Sequence, residues 1–147
     1  MKFNGDTAAA NALDDYEEGN WNPTFVSSNG GESVTYDIQK GGYIKIGRLV
    51  HIQIQLGTTS VSGGSGYIQI GNLPFANDGS TNGASAIPID LAYSFASTIT
   101  GGSSAQVGDN FLYFYKNDNA ANVWPWTAIA TGSGSNRLWM SGTYITS

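Results

Sequence analysis

The chain contains no cysteine and a single histidine, His51. Without thiols there are neither disulfide staples nor thiolate metal sites. One imidazole falls well short of the three or four nitrogen or sulfur ligands that hold zinc. Charge is scarce too: Asp, Glu, Lys and Arg make up 12% of 147 residues, about half the ~25% usual in globular domains. The basic residues Lys2, Lys40, Lys45, Arg48, Lys116 and Arg137 are scattered, and the formal net charge is −5. No basic stripe could neutralise a run of phosphates, so nucleic acid and an anionic membrane surface are poor candidate partners. No stretch approaches the roughly 18 apolar residues of a membrane span. The opening Met1-Lys2-Phe3-Asn4-Gly5-Asp6 lacks the apolar centre of a signal peptide. Neither membrane insertion nor export by an address of its own is expected.

What is present suits a single β domain. Hydrophobic residues make up 40% and aromatics 12%, too rich for disorder. A chain of this length buries about 68–70% of its unfolded surface, enough for a core without staples. Ser, Thr, Asn, Gln and Gly must supply the polar surface, a profile better suited to an extracellular or virion-exposed protein than to a cytosolic enzyme.

Residues 1–20 read as a lead-in segment, and 21–147 as a β-sandwich or jelly-roll-like domain. A short helix over about 7–18, capped by Asp6 or Thr7, is conceivable. An extended segment is preferred because no apolar stripe runs along it. The carboxylates of Asp14, Asp15, Glu17 and Glu18 read as solvated rather than as calcium ligands. Strand signals begin at Trp21, with Pro23 suiting a strand start. Val34, Tyr36 and Ile38 alternate, and Gly41-Gly42 is expected to break the chain. Then Val50, Ile52, Ile54 and Leu56 alternate with His51, Gln53 and Gln55, giving one core face and one neutral polar face. Gly47 sits where a two-residue hairpin turn wants positive φ, which predicts a hairpin of 43–46 with 49–56. Further strands are expected at 67–70, 87–95, 107–115, 124–129 and 138–145. In the 107–115 strand Phe111, Tyr113 and Tyr115 would share one face, with Leu112 and Phe114 on the other. A strand apolar on both faces is sandwiched between sheets or against another subunit.

The inventory for catalysis is thin. His51 lies mid-strand, and no G-x-S-x-G elbow accompanies it. The scattered acids Asp37, Asp78, Asp90, Asp109 and Asp118 offer no pair that stands out for glycoside hydrolysis. The loops 77–83 and 116–122 are rich in oxygen donors but lack the EF-hand spacing and its closing Glu. No catalytic residue, metal or cofactor is expected. The aromatics are more suggestive. Trp124 and Trp126 flank Pro125, and Tyr113 and Tyr115 share the i, i+2 spacing that points two side chains the same way. Asn117, Asp118 and Asn119 follow directly. Rings to stack on sugars, with Asn and Asp to bond hydroxyls, would make a carbohydrate platform. The same rings also suit a core or a subunit interface.

Leu13-Asp14-Asp15-Tyr16-Glu17-Glu18-Gly19-Asn20-Trp21-Asn22-Pro23 resembles the LDDYEEGTWTP segment of many bacteriophage tail-fibre and virion structural proteins. Those proteins continue with a Gly-Tyr-x-Lys-Ile-Gly stretch, here 42–47, an alternating strand, here 49–56, and an I-x-x-L-P-F segment, here 70–75. The closing Ser141-Gly142-Thr143-Tyr144-Ile145 is also similar to that family's end. The likeness runs in order along most of the chain. It departs at Asn20 and Asn22, where the pattern has Thr, and fades over 76–131. It implies a C-terminal head domain that follows a fibrous shaft, with 1–20 as the lead-in joining the two, so that MKFNGD marks a domain cut from a larger chain. It further implies a homotrimer on the virion, with a host-surface glycan or protein as partner and receptor contact at 76–85 and 116–122. A purely structural fibre, decoration or trimerisation domain is the alternative. Trimerisation would also give the 111–115 strand a partner for its second face.

Overall fold

The computed structural model describes residues 15–77, 86–99, 104–108, 110–116 and 122–146, and the clearest sequence signal lies at its centre. Val50, Ile52, Ile54 and Leu56 are all buried, each such side chain contributing about 1.5–3 kcal/mol by leaving water. Their strand runs from Leu49 to Ser62 and pairs antiparallel with Ser33–Ile46. Gly47 turns the hairpin with a φ of 58°, where a Cβ would be strained.

Nine strands form among the described residues: β1 (Tyr16–Trp21), β2 (Thr24–Ser27), β3 (Ser33–Ile46), β4 (Leu49–Ser62), β5 (Ile68–Gly71), β6 (Ala86–Tyr93), β7 (Ser104–Gly108), β8 (Phe111–Tyr115) and β9 (Arg137–Ile145). They follow one another in space as β1-β3-β4-β9-β6-β7-β8-β5-β2, all neighbours antiparallel. The corner is β6. Its first residues, Ala86–Pro88, pair with β7, whereas Ile89 onward pairs with β9 after a register shift between Ile89 and Leu91. A bulge of this kind lets one strand serve two sheets. The first sheet is therefore β1-β3-β4-β9-β6 and the second β6-β7-β8-β5-β2.

The two sheets share one core. The first supplies Val50, Ile52, Ile54, Leu56, Leu138, Met140 and Tyr144, and the second supplies Phe25, Ile68, Ile70, Leu112 and Phe114. The expected all-β sandwich class is the one found. The far edge, β2, is tied back to the first sheet. Tyr36 stacks on Phe25 at 6.5 Å, and its hydroxyl accepts the Phe25 N–H at 2.7 Å. Burial pushes that hydroxyl up to about 12.

Several expectations are corrected. Strand pairing begins at Tyr16 rather than Trp21, so residues 16–20 of the expected lead-in form an edge strand against β3; residues 1–14 lie outside the described residues. Gly41-Gly42 does not break the chain, because β3 runs straight through it. Gly41 stands opposite Trp21, whose indole occupies the space of a Cβ, 2.4 Å from Nε1. The 107–115 strand is instead split between β7 and β8, which pair antiparallel with Gly108 opposite Phe111. Residues 124–129 make one isolated bridge, Pro125 to Tyr67, and one 3-10 turn at Trp126–Ala128. Pro125 offers no N–H to a ladder, and the Trp126 N–H is taken by Gly66 O at 2.7 Å.

Two polar clusters fix the first sheet. Asn136 and Thr58 are fully buried. Asn136 Nδ2 donates to Thr58 Oγ1 and to Ala130 O, both at 3.0 Å, and Oδ1 accepts Ala130 N–H at 2.8 Å. Thr58 Oγ1 donates to Gly134 O at 2.7 Å and accepts Asn136 N–H at 3.0 Å. Every polar group of the pair is thus satisfied, as burial demands. Nearby, Arg137 grips Asp37 with two bonds of 2.8 and 2.6 Å. The pair spans Gly57, where a Cβ would lie 2.4 Å from Arg137 Nη1.

Candidate functional site

The structure separates the aromatic residues singled out by their spacing. Trp124 and Trp126 are 8% and 3% exposed and belong to the core. Trp126 donates its indole N–H to Gly63 O at 2.8 Å, and Lys116 Nζ lies 5.1 Å from the Trp124 ring centre. Both rings thus take the core placement, one of the two that their spacing allowed. Trp126 fills the space beneath the Gly63–Gly66 loop, and Trp124 packs into the core with Lys116 over its ring. Gly64 lies so close to Trp126 that a Cβ would meet its Nε1 at 2.4 Å.

Tyr113 and Tyr115 fare differently. They lie half-buried on the outer face of the second sheet, while Leu112 and Phe114 point into the core. Tyr113 stands opposite Gln69. Asn117, Asp118 and Asn119 lie outside the described residues, as does most of the 76–85 loop. Flanking the first of these loops, Lys116 N–H donates to Asn122 O at 2.7 Å and Tyr115 bridges Val123. Of the expected contact residues, then, the structure brings together Tyr113 and Tyr115 on one outer face.

The outer face of the first sheet carries groups that the sequence pattern did not assemble. Residues directly opposite in antiparallel strands share a face, so the register can be read across in rows. One row is Tyr16, Ile46, Leu49 and Ile145; the next is Glu18, Ile44, His51 and Thr143. Then come Asn20, Gly42, Gln53 and Ser141, followed by Lys40, Gln55 and Trp139. The first row is apolar and the second carries one apolar side chain, Ile44; Tyr16, Ile44, Ile46 and Leu49 are 41–48% exposed. The later rows are polar and line two adjoining hollows of about 390 and 360 Å³, which share Asn20, Gly42 and Gln53. Trp139 stacks on Tyr93 at 5.8 Å and 8°, an aromatic pair built from two strands and so invisible to i, i+2 spacing.

Tyr16 donates to Glu18 Oε2 on this face, whereas Tyr43, in the row of Ile52 on the core side, donates to Glu17 Oε1 at 2.8 Å. The adjacent carboxylates raise both hydroxyls above their ordinary value, chiefly through these hydrogen bonds. His51 Nδ1 lies 3.4 Å from Thr143 Oγ1. Among the described residues, no three His, Cys, Asp or Glu side chains cluster as metal ligands, and no helix is long and apolar enough to cross a membrane.

No protein-family model matches the chain, and the search of curated proteins finds no match. Among solved structures, the fold is similar to that in the crystal structure of the Dettilon tailspike protein, with a TM-score of 0.62 and 15% identity. The match covers 88% of this chain and 24% of the tailspike, so the chain spans about a quarter of that protein's length. The likeness is one of fold.

Proposed function

We propose that this chain is the head domain of a bacteriophage virion fibre or tailspike, acting as a homotrimer that attaches to a host-surface glycan or protein. The fold likeness to a tailspike over 88% of the chain carries the reading, and the LDDYEEG-type segment agrees with it. The exposed Tyr16, Ile46 and Leu49, with half-buried Ile145 in the same row and Ile44 beside it, support self-association. Contiguous apolar surface of this kind marks interaction sites. In this reading the domain works on the virion by binding, with no catalytic residue assigned.

Light scattering is expected to give a mass near three times the 15.5 kDa monomer. Leu49→Glu, which puts a charge in the middle of the apolar row, is expected to shift it to the monomer. A wild-type mass of 15.5 kDa would sink the trimer. Labelled protein is expected to decorate particular bacterial cells in a panel; decoration of none would refute host attachment.

The burial of Trp124 and Trp126 favours a second reading, a purely structural fibre, decoration or trimerisation domain. It predicts the same trimer with no cell decoration.

A further inference from the structure

Three side-chain amides stand around one glycine on the outer face of the first sheet. Asn20 in β1 and Gln53 in β4 flank Gly42 in β3, and Gln55 stands in the next row beside Lys40. Strands lie about 4.8 Å apart, so Asn20 and Gln53 face each other across roughly 10 Å. Along the strands, His51 to Gln55 spans about 13 Å. The floor between them is open, because a Cβ built on Gly42 meets nothing within 4 Å.

The chemistry of this groove is that of unspent hydrogen bonds. Each amide has two donors and a carbonyl acceptor, and the Asn20, Gln53 and Gln55 side chains bond to nothing among the described residues. All three are exposed. Glu18 at one end and Lys40 at the other carry opposite charges, and Ser141 in the central row donates to Asp90 Oδ2 at 2.9 Å, so the groove offers an anion no net attraction. Apolar contact flanks the amides at both ends. Ile44 is 41% exposed, and Trp139, stacked on Tyr93, stands opposite Gln55. A peptide adding as a strand would need free backbone groups, but here the β1–β3–β4 ladder has used them.

We propose that this groove binds a neutral oligosaccharide. Asn20, Gln53 and Gln55 bond its hydroxyls, which both donate and accept. Gly42 leaves the space for a sugar ring, and the Trp139–Tyr93 pair offers an apolar surface for the C–H face of a neighbouring ring. The inference rests on the receptor-binding reading and gives it a site distinct from Tyr113 and Tyr115.

Gly42→Val tests it, since a Cβ there meets nothing within 4 Å and the branched side chain suits a strand. The measurement is an NMR titration of the backbone and side-chain amides with neutral hexose and N-acetylhexosamine oligosaccharides, beside uronic-acid oligosaccharides. The Asn20, Gln53 and Gln55 amide signals are expected to shift with a neutral probe. Gly42→Val should weaken that binding at least tenfold at an unchanged melting temperature, and Gln53→Ala should weaken it too. Three results would overturn the site while leaving host attachment standing: shifts confined to Tyr113 and Tyr115, binding of uronic acids only, or cell decoration with no saccharide shift at all. Equal binding by the wild type, Gly42→Val and Gln53→Ala would do the same. Neither saccharide binding nor cell decoration would overturn both.

Discussion

Asn136→Ala should be among the costliest single changes outside the apolar core. The side chain makes three hydrogen bonds in a fully buried position, two from Nδ2 and one to Oδ1. Truncation strands the Ala130 N–H and C=O together, while Thr58 Oγ1 keeps its bonds to Gly134 O and Asn136 N. Each stranded buried group costs about 1–3 kcal/mol, and half-exposed Ala130 places the total near the lower end, about 3 kcal/mol. For a domain near 150 residues, that lowers the melting temperature by about 6–12 °C. Thr58→Val, which keeps the shape and deletes the hydroxyl, should cost about 2 kcal/mol by leaving Gly134 O and Asn136 N unpaired. The two residues share the Nδ2–Oγ1 bond, so the double variant should fall short of the summed losses by about 1 kcal/mol. Urea unfolding followed by circular dichroism measures all three. A loss below about 1 kcal/mol for Asn136→Ala, or strict additivity in the cycle, would refute the reading of this cluster as one satisfied network.

Other outcomes follow from the same geometry. Gly57→Ala places a methyl 2.4 Å from Arg137 Nη1 and 2.7 Å from Asp37 Oδ1, so it should cost about 1–3 kcal/mol as an overpacked contact. Arg137→Lys should lose less in unfolding experiments, because only the paired geometry is removed. Alkaline pH should destabilise the fold. Burial pushes Tyr36 and Tyr144 up to about 12 from an ordinary 10.0, so the unfolded chain releases these protons first. Their stabilising effect is full below pH 10 and disappears as pH rises to 12. Tyr144→Phe should flatten that alkaline limb, and an unchanged slope would count against it. Gly41→Ala should drive the Trp21 indole from its place, read as a red-shifted tryptophan emission.

What the sequence made legible was local. The 43–56 hairpin and the inward set Val50, Ile52, Ile54 and Leu56 follow from a period of two and one glycine with positive φ. The class of fold followed from the recurrence of such strands. The order of strands did not, because the β6 corner depends on a bulge between Ile89 and Leu91 that no local pattern marks. The candidate site divided along the same line. Neighbours in sequence were visible, so Tyr113/Tyr115 and Trp124/Trp126 stood out. Whether a ring faces water is decided by what packs over it, and the 63–66 loop covers Trp126. The groups that share the outer face of the first sheet come from β1, β3, β4 and β9, so only the register brings them together. The trace available beforehand was the neutral face His51, Gln53 and Gln55.

The glycines within strands sharpen the difference between scaffold and site. Read along the chain, a glycine in a strand suggests a break or a close approach, and the structure shows which partner approaches. A Cβ at Gly19 would meet the Tyr43 ring, at Gly41 the Trp21 indole, at Gly57 the Arg137–Asp37 pair, at Gly71 Val26 and at Gly142 Ile87, each within 3.0 Å. In those five places the missing side chain makes room for another part of the same chain, and substitution should register as lost stability. Gly42 differs. It lies in the middle of β3, it is not among the positive-φ residues, and nothing within 4 Å occupies its space. Neither turn geometry nor internal packing accounts for a glycine there, whereas a molecule lying across the sheet between Asn20 and Gln53 would. The contrast between Gly41 and Gly42, adjacent in sequence and opposite in face, therefore separates folding from binding. Enlarging the first should unfold and enlarging the second should only block.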